Sequence, residues 1–277
     1  MNKQGSDKDP FGGIEWTHRF GERTGYTWNV VQGCLHDCQW HMPSGDVAIC
    51  YAKSIAEKFQ SPKFMPDGFE KHYWNPDRLS EPLKQKSPSG IFLDSFSDLM
   101  GVQVPDEQVR AVLDVCRQAH WHIFFLLTKN APRLLKFDFP SNVWVGVSSA
   151  PDFMYGKPLV REQQQRYMHT ALRVLSSLPL TTTTWMSFEP LSWDVSGIVR
   201  EFPQALSWAV VGAASNGKRE YPPRESDLRA LLGTLGSRPV FYKGNLRSLP
   251  YAAANWRAEF PPEPGRSAVP LVQQVMF

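Results

Sequence analysis

Three of the four cysteines in this 277-residue chain, Cys34, Cys38 and Cys50, fall in one stretch, GCLHDCQWHMPSGDVAICYAKSIAEKF, with C-x3-C-x11-C spacing. In a chain without secretory features, such clustering reads as metal binding or catalysis before it reads as a disulfide. Three thiolates are one short of a saturated tetrahedral zinc site. They suit an iron–sulfur cluster that leaves one iron open to a non-protein ligand. Zinc completed by His36 or His41 competes with that reading, as does burial of the thiols as small hydrophobes. The polar neighbours His36, Asp37 and Gln39, with Gly33 before them, argue against a core position for Cys34 and Cys38.

These cysteines need a support. Pro43-Ser44-Gly45-Asp46 is a turn signal, and residues 39–41 and 46–48 are placed to flank it as a hairpin that returns Cys50 to the other two. A helix is expected next, with Tyr51, Ile55 and Phe59 on one face. Further along, short apolar segments recur at Thr27–Gly33, Gly90–Phe96, His122–Thr128, Asn142–Ser148, Thr182–Phe188, Ser207–Ala213 and Arg238–Lys243. Near-continuous runs such as IFFLL and WAVVGA fit strands buried on both faces of a parallel sheet. Between them, Asp106 is expected to cap a helix with Val109, Val112, Leu113 and Cys116 on its apolar face, which makes Cys116 a core residue. Arg161–Ser177 and Glu225–Leu235 are further helices.

Strand and helix alternate, so an α/β fold with a parallel sheet is expected. Nearly every strand ends in polar residues: Asp94-Ser95-Phe96-Ser97-Asp98, Thr128-Lys129-Asn130, Ser148-Ser149, Ser187-Phe188-Glu189-Pro190, Ser215-Asn216 and Lys243-Gly244-Asn245. In a partial or near-closed (β/α) barrel of the TIM type these ends converge on one mouth. Residues 1–25 read as a loose lead-in, 26–258 as the barrel and 259–277 as a tail beginning at the proline-rich FPPEP.

Composition bounds the rest. Net charge is +3 from 30 basic and 27 acidic residues, too balanced for a protein that coats DNA. The apolar runs are strand-sized, short of a membrane span, and the first ten residues lack a signal peptide's apolar core. A cytoplasmic protein is expected.

The cysteine loop at the head of a barrel resembles the radical S-adenosylmethionine (SAM) superfamily, whose usual spacing is C-x3-C-x2-C. Cys34 and Cys38 match the first gap, Ile49 the apolar residue before the third cysteine, and Cys50 that cysteine; the longer second gap is a departure, accounted for by the hairpin. TWNVVQGC, ICYAKSIAEKF, IFLDSFSDLM, LLTKNAPRL, NVWVGVSS, MSFEPL, WAVVGAASNG and VFYKGNLR are similar to the motifs of a phage- and prophage-associated family of radical SAM-like proteins, over residues 14 to about 258. The resemblance implies a 4Fe–4S cluster on Cys34, Cys38 and Cys50 and SAM on its open iron. It implies SAM contacts from Ser95, Ser97 and Asp98 in place of the usual Gly-Gly-Glu, from Ser148 and Ser149, and from Lys129 and Glu189, with Asn216, Lys243 and Asn245 facing substrate. An electron donor such as flavodoxin or ferredoxin would supply the electron to a monomeric enzyme in the host cytoplasm.

The phage context of that family implies a nucleic-acid substrate. One such step is the isomerisation of a glycyl adduct on a thymidine derived from 5-hydroxymethyluracil. Tyr26, Trp28, Phe96, Phe153, Tyr155 and Trp193 are candidates to stack on a base, and Lys218, Arg219, Arg224, Arg247 and Arg257 to meet phosphates. A zinc-stapled nucleic-acid-binding barrel and a radical SAM enzyme for a small metabolite are the alternatives.

Overall fold

The computed structural model describes residues 1–6, 9, 12–21, 23–42, 44–58, 65–215 and 219–263. The expectations on Pro43, Phe59, Asn216, Lys218 and residues 264–277 lie outside them.

Seven parallel strands form the framework: β1 (Thr24–Trp28), β2 (Ser89–Leu93), β3 (Ile123–Thr128), β4 (Val143–Ser148), β5 (Thr184–Phe188), β6 (Trp208–Val211) and β7 (Val240–Tyr242). They are hydrogen-bonded in sequence order, and a short N-terminal strand, Asn2–Gln4, adds antiparallel to β1 as an eighth. The expected α/β barrel is therefore a curled half-barrel sheet: among the described residues β7 does not pair with β1. The outer edge of β7 is covered instead by the segment around Ala258, with Tyr242 donating its amide to Arg257 at 2.8 Å and Glu259 donating to Val240 at 3.0 Å, which removes an open strand edge.

Besides the short helices Glu81–Lys84 and Pro250–Ala254, the helices among the described residues are α1 (Glu15–His18), α2 (Tyr51–Lys58), α3 (Asp106–Gln118), α4 (Arg161–Ser177), α5 (Ser196–Glu201) and α6 (Glu225–Leu235). α4 and α6 have the bounds read from their periodicity. In α3, Pro105 is the N-cap; Asp106 is the first helical residue and pairs with Arg133 at 2.5 Å instead of capping. Cys116 is fully buried on the apolar face of α3. In α2 the buried residues are Ala52 and Ala56, one position round from the face expected.

Alternation along each strand splits the molecule into two cores. Outward residues such as Ile91, Phe124, Val145 and Met186 pack beneath the helices. Inward residues are large rings: Phe92, Phe125, Trp144, Trp185, Trp208 and Phe241. Their contacts are edge-on or tilted, with Trp185 and Trp208 centroids 5.1 Å apart and Phe125 and Trp144 5.4 Å apart, the geometry aromatic quadrupoles favour.

Residues 14–20, expected as part of a loose lead-in, are a working part of this inner core. A helix as short as α1 does not persist alone; packing holds it. Trp16 meets Trp185 at 6.1 Å and Phe241 at 6.4 Å, and Phe20 meets Trp144 at 5.2 Å. Close approach needs glycine on the sheet: a Cβ on Gly90 would stand 2.3 Å from the Thr17 carbonyl oxygen. Together these rings floor the concave face. The C-terminal strand ends rise above that floor.

Candidate functional site

The cysteine loop leaves β1 at the mouth. Gly33 has φ +87°, and a Cβ there would lie 1.6 Å from the Lys71 carbonyl oxygen, so no other residue fits. The next amide, of Cys34, donates to Phe69 at 2.8 Å. The expected hairpin is present: Gln39–His41 pairs antiparallel with Val47–Ile49, and the Cys50 amide donates to the Cys38 carbonyl at 2.9 Å. Cys38 is buried, and Cys34 and Cys50 are half-buried against Ala52, Ala56, Met65 and Phe69.

Burial raises the Cys34 thiol pKa, and Asp98 and the other two thiols add to the rise. Cys38 is pushed up by burial to about 11, against the opposing pull of Lys129. Lys129 has the reciprocal balance. Burial lowers its pKa, but Cys38, Cys50, Asp98 and Cys34 outweigh burial and raise it, so the ammonium stays charged among the thiols.

Among the described residues no three His, Cys, Asp or Glu side chains are gathered so as to hold a single metal ion. A mononuclear zinc site needs donors that converge on one centre. His36 turns Nδ1 to Asp98 Oδ2 at 3.4 Å, and His41 is exposed. A cubane cluster makes a different demand, because each thiolate binds its own iron. Three thiols brought together by the Cys50–Cys38 backbone bond and by the shared packing of Cys34 and Cys50 fit that demand.

The end of β2 stitches the mouth together. Asp98 Oδ2 accepts from Thr128 Oγ1 at 2.9 Å and the Lys129 amide at 2.8 Å, while Oδ1 accepts from the Met100 amide at 2.9 Å. Ser97 Oγ donates to the Gly33 carbonyl at 2.7 Å, and Ser95 Oγ to Asn29 Oδ1 at 3.1 Å. These three side chains, read as SAM contacts, are all engaged within the protein. The Ser95 carbonyl accepts from the Tyr51 hydroxyl at 2.8 Å. On β4, the Ser148 carbonyl accepts from Tyr167 at 3.0 Å, while Ser149 Oγ is buried with no hydrogen-bond partner.

Across the mouth, Lys243 donates to Glu189 Oε1 and its ammonium lies 5.6 Å from the Trp16 ring centroid. Both oxygens of the buried Glu15 accept from the Gly244 amide. Burial raises the Glu15 pKa, with Lys243 and that amide pulling the other way. Asn245 is spent on the backbone, accepting from the Ala213 amide at 3.0 Å and donating to its carbonyl at 2.9 Å.

The sequence reading missed Glu15, Asn29, Tyr51 and Tyr167 as contributors here. Asn29 and Tyr51 lay inside quoted motifs; Glu15 carried no local signal. Of the stacking candidates, Trp28 is fully buried and Tyr26 packs against the outer core, so neither faces the mouth. Trp193 is buried, with the Arg161 guanidinium 4.5 Å from its ring centroid. Phe96 packs with Cys34 and Cys50, and Phe153 and Tyr155 lie beside the cysteine hairpin. Arg224 and Arg257 are held by Asp227 and Glu259, while Arg219 and Arg247 lie near the Tyr221 and Trp256 rings.

Fold and site together define an open α/β half-barrel with a three-cysteine loop at its mouth. The chain belongs to the family described as "Protein of unknown function (DUF5131)", whose profile matches residues 12–234. No curated protein matches it. Among solved structures it is similar to spore photoproduct lyase complexed with dinucleoside spore photoproduct (11% identity, TM-score 0.42) and to a variant of that enzyme with bound AdoMet and the same dinucleoside (11% identity, TM-score 0.45). Each match covers 76% of this chain and 61% of the other, so the chain spans less than two thirds of those proteins' length. Among the described residues no helix is long and apolar enough to cross a membrane.

Proposed function

We propose that the protein is a radical SAM enzyme acting on a nucleobase. The observation that carries this reading is the hairpin that returns Cys50 to Cys38, with Cys34 and Cys50 packed in one cluster, at the mouth of a parallel half-barrel. When bound, a 4Fe–4S cluster with SAM supplies one-electron cleavage of SAM to methionine and a 5′-deoxyadenosyl radical that takes a hydrogen atom from substrate.

The chain's own residues supply containment and position. The aromatic floor excludes water from the base of the site, as a primary carbon radical requires. Lys129 offsets the negative charge of three thiolates. The unpartnered Ser149 Oγ is a buried hydrogen-bonding group available to a ligand. Glu189 and Lys243, paired at the opposite rim, are the polar groups offered to substrate. Ser95, Ser97 and Asp98 act by holding the cysteine loop to β2 and β3. In its most specific form the reading is the isomerisation of a glycyl adduct on a hypermodified phage thymidine, with flavodoxin or ferredoxin as electron donor.

Anaerobic purification with iron, sulfide and zinc analysis tests the first half, followed by a reductant-driven assay for 5′-deoxyadenosine. Roughly four irons per chain are expected, with 5′-deoxyadenosine formed on reduction. Stoichiometric zinc with no SAM cleavage after reconstitution would sink the proposal. Mass spectrometry of phage DNA nucleosides with the gene deleted tests the substrate.

A further inference from the structure

The hairpin between Cys38 and Cys50 does more than return a ligand. It joins Phe153–Met154 and Lys157–Pro158, which follow β4, in a four-stranded sheet, with Phe153 paired to Gln39. Asp152 fastens the junction: its amide donates to the Gln39 carbonyl at 3.0 Å, and its Oδ2 accepts from the His41 amide at 2.9 Å. On its other side the hairpin reaches the strand pair after β6. There Tyr221 donates to Asp46 Oδ2 at 2.9 Å, and Ser44 Oγ lies 3.2 Å from the Tyr221 hydroxyl. Met42, Ala48 and Ala214 form an apolar seam beneath, flanked by Trp40 and Tyr221.

Loops after β1, β4 and β6 are not neighbours on the sheet, whose order places β2 and β3 between the first two and β5 between the last two. In a curled sheet such loops meet only by crossing the mouth. We propose that the hairpin of residues 39–42 and 44–49 is a strap across the mouth, latched on Tyr221, that admits a single nucleobase, free or in a single strand, and excludes duplex. This rests on the nucleobase reading above. The two ends of the strap differ in kind. The β4 end is backbone pairing reinforced by Asp152, whereas at the β6 end the tip is latched over the apolar seam by side-chain hydrogen bonds at exposed Ser44 and Asp46, the type of contact that opens locally. The strap therefore hinges at Gln39 and releases at Tyr221.

Amide hydrogen exchange on the full chain, with the cluster reconstituted, tests the latch in Tyr221→Phe and, independently, Asp46→Ala. Residues 40–49 are expected to exchange roughly 2- to 10-fold faster in both, the factor one hydrogen bond is worth, with β2 to β5 unchanged. Unchanged exchange at 40–49 in both variants overturns the latch. The second arm compares wild-type binding of thymidine, a single-stranded oligonucleotide and its duplex. Duplex is expected to bind at least about tenfold more weakly than single strand; equal binding overturns the exclusion. If none of the three binds while exchange responds as expected, the latch stands and the nucleobase reading falls.

Discussion

Glu15 and Gly244, 229 residues apart, are joined by two hydrogen bonds from one amide to both oxygens of one carboxylate, at 3.0 and 2.8 Å. The contact spans the open side of the half-barrel, since Glu15 sits on the helix packed against β1 and β2 while Gly244 follows β7. Glu15→Ala leaves that half-buried amide without its carboxylate and is expected to cost about 0.5–1.5 kcal/mol, read as a lower Tm. Glu15→Gln retains an acceptor and should lose less. Equal losses would point to the charge and not the bond.

Asp94 gives the molecule a pH response. Burial raises its carboxyl pKa to about 8, against the pull of the Val31 and Val30 amides. A carboxyl that holds its proton more tightly when folded stabilises most below the ordinary carboxylate range, and that stability is lost as pH rises toward 8. The slope is up to about 1.4 kcal/mol per pH unit. Asp94→Asn keeps the acceptor for Val31 and tolerates the φ of +51°. Its Tm should be flatter than wild type between pH 5 and 8; parallel curves refute the assignment.

The aromatic floor predicts a sharp packing response. A Cβ on Gly146 would fall 2.2 Å from the Trp185 ring. Gly146→Ala is expected to destabilise by about 1–3 kcal/mol, the usual cost of overpacking, and to alter near-ultraviolet circular dichroism as the indoles shift. Gly197→Ala, where a Cβ meets nothing within 4 Å, is the control and should show neither effect.

The cysteines should divide three to one. Alanine at Cys34, Cys38 or Cys50 should abolish iron retention with a folded chain remaining. Cys116→Ala should retain iron and lose about 1 kcal/mol from its buried position. Iron content and Tm measured on all four variants check both halves.

What the sequence disclosed followed its periodicity. All seven parallel strands and the bounds of α4 and α6 are legible because long apolar repeats mark them. The first strand, expected over Thr27–Gly33, runs from Thr24 to Trp28 and so both begins and ends earlier; Gly25 breaks its apolar pattern. That glycine exists for a neighbour: a Cβ there would meet Thr17 Oγ1 at 2.4 Å. α1 is four residues long and carries no periodic signal; its partners lie far along the chain. Tyr51 is legible only as a helix-face partner of Ile55 and Phe59, yet its hydroxyl is drawn to the Ser95 carbonyl in the mouth. In the site, three thiols at short spacing were visible locally, whereas Glu15 becomes meaningful only through Gly244. Asp98 had the right place for a ligand contact, but nothing local shows that its carboxylate is already filled.

The floor also fixes an order of assembly. Its rings come from residues 16–20, from five central strands, and from Phe241 and Phe260, which meet at 5.4 Å. A ribosome delivers these over nearly the whole length of the chain, and contacts of such separation close late. The first helix must therefore wait, its indole unburied, until the final strand emerges.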